Sequence, residues 1–467
     1  MIHIFTTAAP PWMTGTALNP TMRACTLANM GYCVCIVYPW LVLPQDQMEL
    51  YGRVFANRYD QESFVRSMMP LKLGDMLDVR FYNARYERKI GCILHEPYED
   101  ITSKGICTGG IVILEEPEHL CWLHIGDSWK HKFDQVIGVI HTNYDSYMQY
   151  DFKKYGAFKV GMRHLWEKLI LHAYVDTVIH LSPATTTTTE GSGVVSPVHG
   201  VRSLFFKPLS AKAHGIYFIG KCLWNKGYQN IQQLFADFKT TFDVHSFGSG
   251  PDAKEITAAA QQTDGWYHNS AVSHESEIIR SFSIFFNPST SEVLCTSTME
   301  AIAMGKIVVL PNHSSNDALR RFTNTRFYDT LEECAMLLHT ALSETPQPLT
   351  KEEERWLSWS AACERLEAFF LLSDKEHIAS TDVAFLLMQG VLNAGMDVIC
   401  KIMEVHMSLS KSHAIPAIII CLLILGSGIT YKGLCHTETP YKVDRATLGN
   451  HGVLVCRTNT LKTNCTL

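Results

Sequence analysis

A chain of 467 residues has room for two or three cores at roughly 150 residues each. Hydrophobic residues make up 46%, an ordinary globular share that excludes bulk disorder. Lys and Arg number 40 against 46 Asp and Glu, a formal charge of −6 that excludes a sequence-independent grip on nucleic acid, and 15 cysteines without one C-x-x-C exclude a zinc ribbon or a dithiol site and read as reduced thiols facing a cytosol.

The opening MIHIFTTAAPPW lacks a basic region followed by a long apolar run, so no secretory signal is expected. IHIF (2–5) reads as a strand. A helix is predicted over Leu18 to Asn29, with Asn19 as its cap and Pro20 in its first turn. Strands follow at 33–37, 111–114, 136–140 and 176–181. The Ser/Thr/Gly/Pro-rich stretch 182–197 reads as a linker. A second series places strands at 216–220, 242–247, 282–286 and 306–310, with helical patterns near 228–239, 252–262, 274–280 and 298–304. Alternation of this kind is the mark of α/β layers around parallel sheets. Thr350 to Phe370 reads as one strong helix, opened by the capping box Thr350-x-x-Glu353. Near the C-terminus Ser412 to Tyr431 gives 20 residues without Asp, Glu, Lys or Arg, enough at ~1.5 Å each to cross a bilayer core. His413, Pro416 and Gly426 weaken that pattern, and an apolar tail segment is the alternative.

Five stretches offer chemistry. In 287–310 a strand gives way to a loop and then a helix near Thr298, with Ser297-x-x-Glu300 as a capping box. Free N–H groups at such a helix end suit an anion. Glu292 and Glu300, eight apart, can converge on one pocket; the plainer readings are a solvated loop carboxylate and a capping glutamate. In 216–230 Lys221 and Lys226 follow a strand end, where two ammonium groups suit a phosphate, or are simply solvated. Gly215-x4-Gly220-Lys221 mimics a phosphate loop, but Cys222 replaces Ser/Thr and IYFI is strand-like, so that reading is rejected. Gly248 sits in a third strand-end turn. Gly15, after the first strand, suits a close backbone approach to phosphate, and His141 ends an apolar strand, where open α/β sheets place their ligands but a lone histidine is more often structural. No Asp-x-Asp occurs, so no metal site is expected and lysines and helix ends are left to neutralise a diphosphate. Finally, 152–174 is a basic amphipathic pattern whose Lys153, Lys154, Lys159, Arg163 and Trp166 suit an anionic membrane surface; an ordinary surface helix is the alternative.

Taken together and in order, FTTAAPPWMTGTALNP, LEEPEHLCW, VIGVIHTNY, VHGV, YFIGKCLWNKGY, GSGPDAKEI and NPSTSEVLCTSTMEAIAMGKIVVLPNHSSN resemble retaining glycosyltransferases of family 4, and among them the digalactosyldiacylglycerol synthases. The resemblance runs from residue 1 to about 370. It implies a GT-B fold of two Rossmann-like domains facing across a cleft. The N-terminal, acceptor-side domain would span 1–200 and the nucleotide-sugar domain 201–345. A helix at 346–372 would cross back to the first domain, followed by the tail 373–467. It implies transfer of galactose from UDP-galactose to monogalactosyldiacylglycerol, with no tightly bound cofactor. Glu300 would hold the ribose of UDP, while Lys221, Lys226, Gly15 and the 295–297 backbone would hold the diphosphate. Glu292 and His141 would lie against the transferred sugar. Lys221 stands where many members carry Arg, which keeps charge but loses the bidentate fork. Partners would be a UDP-sugar, a galactolipid and an anionic membrane, and the location a membrane facing the cytosol, the plastid outer envelope where there are plastids. The alternatives are another retaining UDP-sugar transferase of the same fold, with a glucosyl donor or a non-lipid acceptor, and a non-catalytic membrane-associated relic.

Overall fold

The computed structural model describes residues 1–370 apart from 13, 70–76, 89–90, 97–99, 103–108, 122–128, 144–166, 168–169, 172–173, 189–192, 208–209 and 211. The chain divides into one compact unit, Met1–Leu372, and a second, Ser373–Leu467. The second unit, with the apolar segment 412–431, lies outside the described residues, as do Lys153, Lys154, Lys159, Arg163 and Trp166. Among the described residues no helix is long and apolar enough to cross a membrane.

The first unit is built on two doubly wound sheets. The strands β1 (Ile2–Phe5), β2 (Val34–Leu41), β3 (Leu77–Glu87), β4 (Cys92–His95), β5 (Ile111–Glu115), β6 (Gln135–Ile140), β7 (Thr177–His180) and β8 (Val194–Val195) lie in the order β4-β3-β2-β1-β5-β6-β7-β8. All neighbours are parallel except β3 and β4. The second sheet is wholly parallel. It joins β9 (Ile216–Ile219), β10 (Val244–Gly248), β11 (Trp266–Ser270), β12 (Ile284–Phe286), β13 (Ile307–Pro311) and β14 (Thr325–Tyr328) in the order β11-β10-β9-β12-β13-β14. Strands covered by helices on both faces read as unbroken apolar runs. β1, β6 and β13 are buried at every residue, which is why IHIF, QVIGVI and IVVLP are legible in the sequence. In each sheet the winding reverses beside the first strand, between β1 and β5 and between β9 and β12. Crevices at such reversal points are where open α/β sheets bind ligands.

Three predicted helices differ in detail. The first runs Gly15–Asn29, three residues earlier than expected; Thr14 is its cap and Pro20 lies inside it. Pro20 has no N–H for the carbonyl of Thr16, one turn back. The Thr6 hydroxyl donates to that carbonyl at 2.7 Å, so the interior proline leaves no orphan. Asn19 does not cap; it is buried. The helix expected near Thr298 starts at Thr296, with Cys295 at the cap and no side-chain capping bond, so the predicted Ser297–Glu300 capping box does not form. The predicted helix Thr350 to Phe370 is two helices, Lys351–Leu357 and Trp359–Glu367, broken at the extended Ser358, although its Thr350–Glu353 capping box is present. The break lets Ser358 bridge to Val201 in parallel, with the Val201 N–H donating to Leu357 O at 2.7 Å. A Cβ on Gly200 would stand 2.6 Å from the Trp359 backbone, so only glycine permits the approach. The second of these helices packs beside helix Gly15–Asn29: Tyr32 donates to Glu367, and Gln135 Nε2 donates to Phe369 O at 2.7 Å.

Candidate active site

The reversal points bring two helix N-termini together. Helix Gly15–Asn29 rises from the loop after β1, and helix Thr296–Ala303 from the loop after β12. Neither carries a side-chain cap, and neither has an acidic residue in its first turn. Their leading N–H groups therefore keep their donor capacity, and the two dipoles point positive ends at one place. A Cβ built on Gly15 would lie 3.9 Å from Thr296 Oγ1. Asn19, one turn into the first helix, reaches Thr296 Oγ1 at 3.5 Å and His199 Nδ1 at 3.3 Å.

The loop after β9 adds charge. Lys226 Nζ stands 3.0 Å from Glu292 Oε1, with side chains 16% and 19% exposed, so these two predicted residues meet as an ion pair. Gly227 makes the meeting possible. Its φ is +96°, and a Cβ there would sit 2.6 Å from Pro288 Cγ and 2.9 Å from Ser289 N. The close approach lays the lysine loop on the loop that carries Glu292. Lys221 is exposed and forms no ion pair among the described residues. Gly248 packs rather than points: a Cβ there would lie 2.1 Å from Gly220 O. Cys295 Sγ lies 3.1 Å from Ser297 Oγ, and burial pushes the Cys295 thiol pKa up, which disfavours the thiolate.

On the first sheet His141 has a 4% exposed side chain, and its Nε2 bonds to Glu115. Glu115 is fully buried and also accepts from Arg23 Nε at 2.7 Å. Burial alone would raise the Glu115 carboxyl, but the Arg23 and His141 charges prevail and hold it at about 2. The His199 ring sits 4.9 Å from that of His141. Burial first, then His141, Arg23 and Arg365, drives His199 well below the usual histidine range and keeps it neutral. A contact path thus runs from His141 through His199 and Asn19 to Thr296. Glu115, His141 and His199 offer ligand atoms within 4.8 Å of one another. Yet one Glu115 oxygen holds Arg23, the other holds His141, and the buried guanidinium already supplies the cation, so this donor set does not suit a metal ion.

Beside it Glu116 is the one non-glycine residue with positive φ among the described residues, at 66°. Thr7 donates to its Oε2, and Thr142 donates to its Oε1 at 2.8 Å, so three strand ends are tied at the reversal point.

Glu300 does not take the capping role its spacing allowed. Instead of capping, its Oε2 lies 2.7 Å from His274 Nδ1, and His274 Nε2 lies 2.8 Å from the Tyr217 hydroxyl. Sequence reasoning missed His274, Tyr217, Arg23, Glu115 and Asn19. All but His274 stood in stretches already singled out or beside them. Nothing local marks His274, 26 residues from its partner.

Two doubly wound sheets that meet at uncapped helix ends, with a lysine–glutamate pair on the second sheet's loops, have the GT-B architecture of sugar transferases. Residues 213–331 match the family model for glycosyl transferases group 1. Sucrose-phosphate synthase from Thermosynechococcus elongatus superposes with a TM-score of 0.55 over 79% of this chain and 98% of that one, at 13% identity, a likeness of fold. Digalactosyldiacylglycerol synthase 2, chloroplastic, of Arabidopsis thaliana is 36% identical over 402 residues, 82% of this chain and 83% of the relative. The Lotus japonicus protein of the same description is 37% identical over 387 residues, 78% and 82% of the two chains. The chain belongs to the digalactosyldiacylglycerol synthase family.

Proposed function

We propose that this cleft transfers galactose from UDP-galactose to monogalactosyldiacylglycerol with retention, giving digalactosyldiacylglycerol. Family membership supports the substrates. The observation that carries the chemistry is the meeting of two uncapped helix N-termini, one from each sheet, at Gly15 and Thr296. Two such ends together suit an anion such as a diphosphate. In this reading the 201–345 domain holds the donor: Glu300 takes the ribose, Gly248 shapes the strand-end loop, and the 295–297 backbone and Gly15 take the diphosphate. Lys221 and Lys226 supply positive charge. Charge grows on the leaving UDP as the anomeric bond breaks, and cations already in place stabilise it there without reorganisation.

The acceptor hydroxyl attacks the anomeric carbon from the face UDP leaves, and its proton passes to the departing phosphate oxygen. His141 and Glu292 border the transferred sugar, His141 with its ring held by Glu115. The 1–200 domain takes the galactolipid headgroup. Its basic stretch with Lys153, Lys154, Lys159, Arg163 and Trp166 sets it on an anionic membrane, at the plastid outer envelope and facing the cytosol. The test offers purified full-length protein UDP-galactose or UDP-glucose with monogalactosyldiacylglycerol liposomes and determines the product linkage by NMR. An α-linked digalactolipid is expected from UDP-galactose. A glucosylated lipid, a β-linkage, or no lipid product with either donor overturns the proposal.

A further inference from the structure

His274 lies ahead of the short helix Glu277–Arg280, with its side chain 8% exposed against 12% for Glu300. The rings of Phe205, Tyr217 and Phe285 stand 5.8, 5.8 and 6.0 Å from its own. In that aromatic setting both nitrogens must find protein partners, and both do. Nε2 meets the Tyr217 hydroxyl at 2.8 Å and Nδ1 meets Glu300 Oε2 at 2.7 Å. Tyr217 is fully buried on β9. Burial, and then the nearby Glu300 charge, keep its phenol protonated far into alkali. An ionised carboxylate can only accept, so Nδ1 carries the proton that reaches Glu300, and Nε2 is left to accept from the phenol. Tyr217 supports that tautomer, and the tautomer holds one carboxylate oxygen. Oε1 has no partner among the described residues. A glutamate on an exposed helix end would sample several rotamers, whereas this one is fixed from behind by a residue anchored in the sheet.

We propose that Tyr217 and His274 are positioning residues that hold the Glu300 carboxylate for the vicinal hydroxyls of the donor ribose. The preference for ribonucleoside over 2′-deoxyribonucleoside diphosphates is then set from the far side of Glu300. This rests on the reading of Glu300 as the ribose ligand.

The experiment measures UDP and 2′-deoxy-UDP affinity by calorimetry for the full-length protein and for Glu300→Gln, His274→Phe, His274→Asn and Tyr217→Phe, with melting temperatures alongside. The parent protein should prefer UDP by roughly tenfold or more, the worth of a hydrogen bond to a charged acceptor. His274→Phe should collapse that preference by weakening UDP alone. His274→Asn, whose amide can offer an N–H near the place of Nδ1, should restore much of it. Tyr217→Phe should lose part of it and raise the donor KM with kcat nearly unchanged. If Glu300→Gln collapses the preference while folded Tyr217→Phe and His274→Phe keep it, the relay is overturned and the ribose reading survives. If Glu300→Gln keeps the preference, the ribose reading fails and the relay fails with it. Should His274→Phe not fold, Tyr217→Phe decides, and an unchanged preference there overturns the proposal.

Discussion

Lys226 and Glu292 sit 3.0 Å apart, and that pairing has a kinetic consequence. In the proposed reading Lys226 places its charge beside the breaking bond and contributes most where the leaving group gains charge. Lys226→Ala is expected to lower kcat by roughly a hundredfold while UDP affinity changes much less. Turnover of the parent protein should persist in EDTA. Loss of turnover that Mg²⁺ restores would show that a metal carries the charge instead. A second residue, His3, matters for stability rather than turnover. It is fully buried in β1, and neither ring nitrogen has a hydrogen-bond partner among the described residues. Burial, the N-terminal ammonium and Arg80 lower its pKa to about 4, with Asp78 opposing. The unfolded chain therefore takes up a proton near pH 6.5, before the folded protein does, and stability falls as pH drops from about 6.5 to about 4. His3→Phe, in a site that already holds the Phe133 ring 5.2 Å away, should remove up to about 3 kcal/mol of that loss. Urea midpoints across this pH range test it; an unchanged pH slope would assign the acid lability elsewhere, with His180, itself lowered to about 4 by burial, the next candidate.

At the scale of elements, an interior proline stays in helix Gly15–Asn29 because Thr6 satisfies the carbonyl that Pro20 cannot. Thr6→Val keeps the shape but leaves the Thr16 carbonyl and the Ala8 N–H without that hydroxyl. A loss of about 1–2 kcal/mol in denaturant unfolding is expected; no loss would mean water takes the place. The same helix shows where reading the sequence stops. Asn19-Pro20 is a good helix start by local rules, yet Asn19 is spent on His199 and Thr296, residues far along the chain. Ser297-x-x-Glu300 satisfies the capping-box pattern, but His274 claims the glutamate. Buried strands were legible because helices cover both faces. β3 was not, since its residues alternate between buried and partly exposed over Leu77–Glu87, nor was the polar edge strand β11, Trp266–Ser270. The clustering of Gly15, Lys226, Glu292 and the 295–297 turn was legible because strand ends are where such sheets gather function. The supports behind them, Arg23, Glu115 and His274, were not, because only the fold brings them near.

For the whole molecule the binding mode to membrane separates by salt. Five basic residues in 152–174 should each contribute ~1 kcal/mol on an anionic surface, fading as ionic strength rises. If 412–431 inserts, full-length protein should stay on liposomes through high salt and alkaline carbonate. Release by carbonate would mean attachment is peripheral, and indifference to anionic lipid at every salt would make the basic stretch an ordinary surface helix.

The polypeptide passes between the two sheets more than once. It goes out near Val201 and returns near Ser358, and at that point the passages lie side by side, joined by the Val201–Leu357 hydrogen bond and the adjoining bridge. Arg365 ties them further, its Nε donating to Pro197 O at 3.0 Å. Two adjacent ribbons of this kind bend readily along one line and resist shearing or rotation about any other. Cleft closure over a nucleotide is then expected to be a one-axis flexure about this crossing. The doubled crossing also has a topological effect: a cut near Ser358 leaves both sheets on one chain, and a cut near Val201 leaves the second sheet joined to helix Trp359–Glu367, which still packs on helix Gly15–Asn29. The cut chain should migrate as one particle until it is denatured.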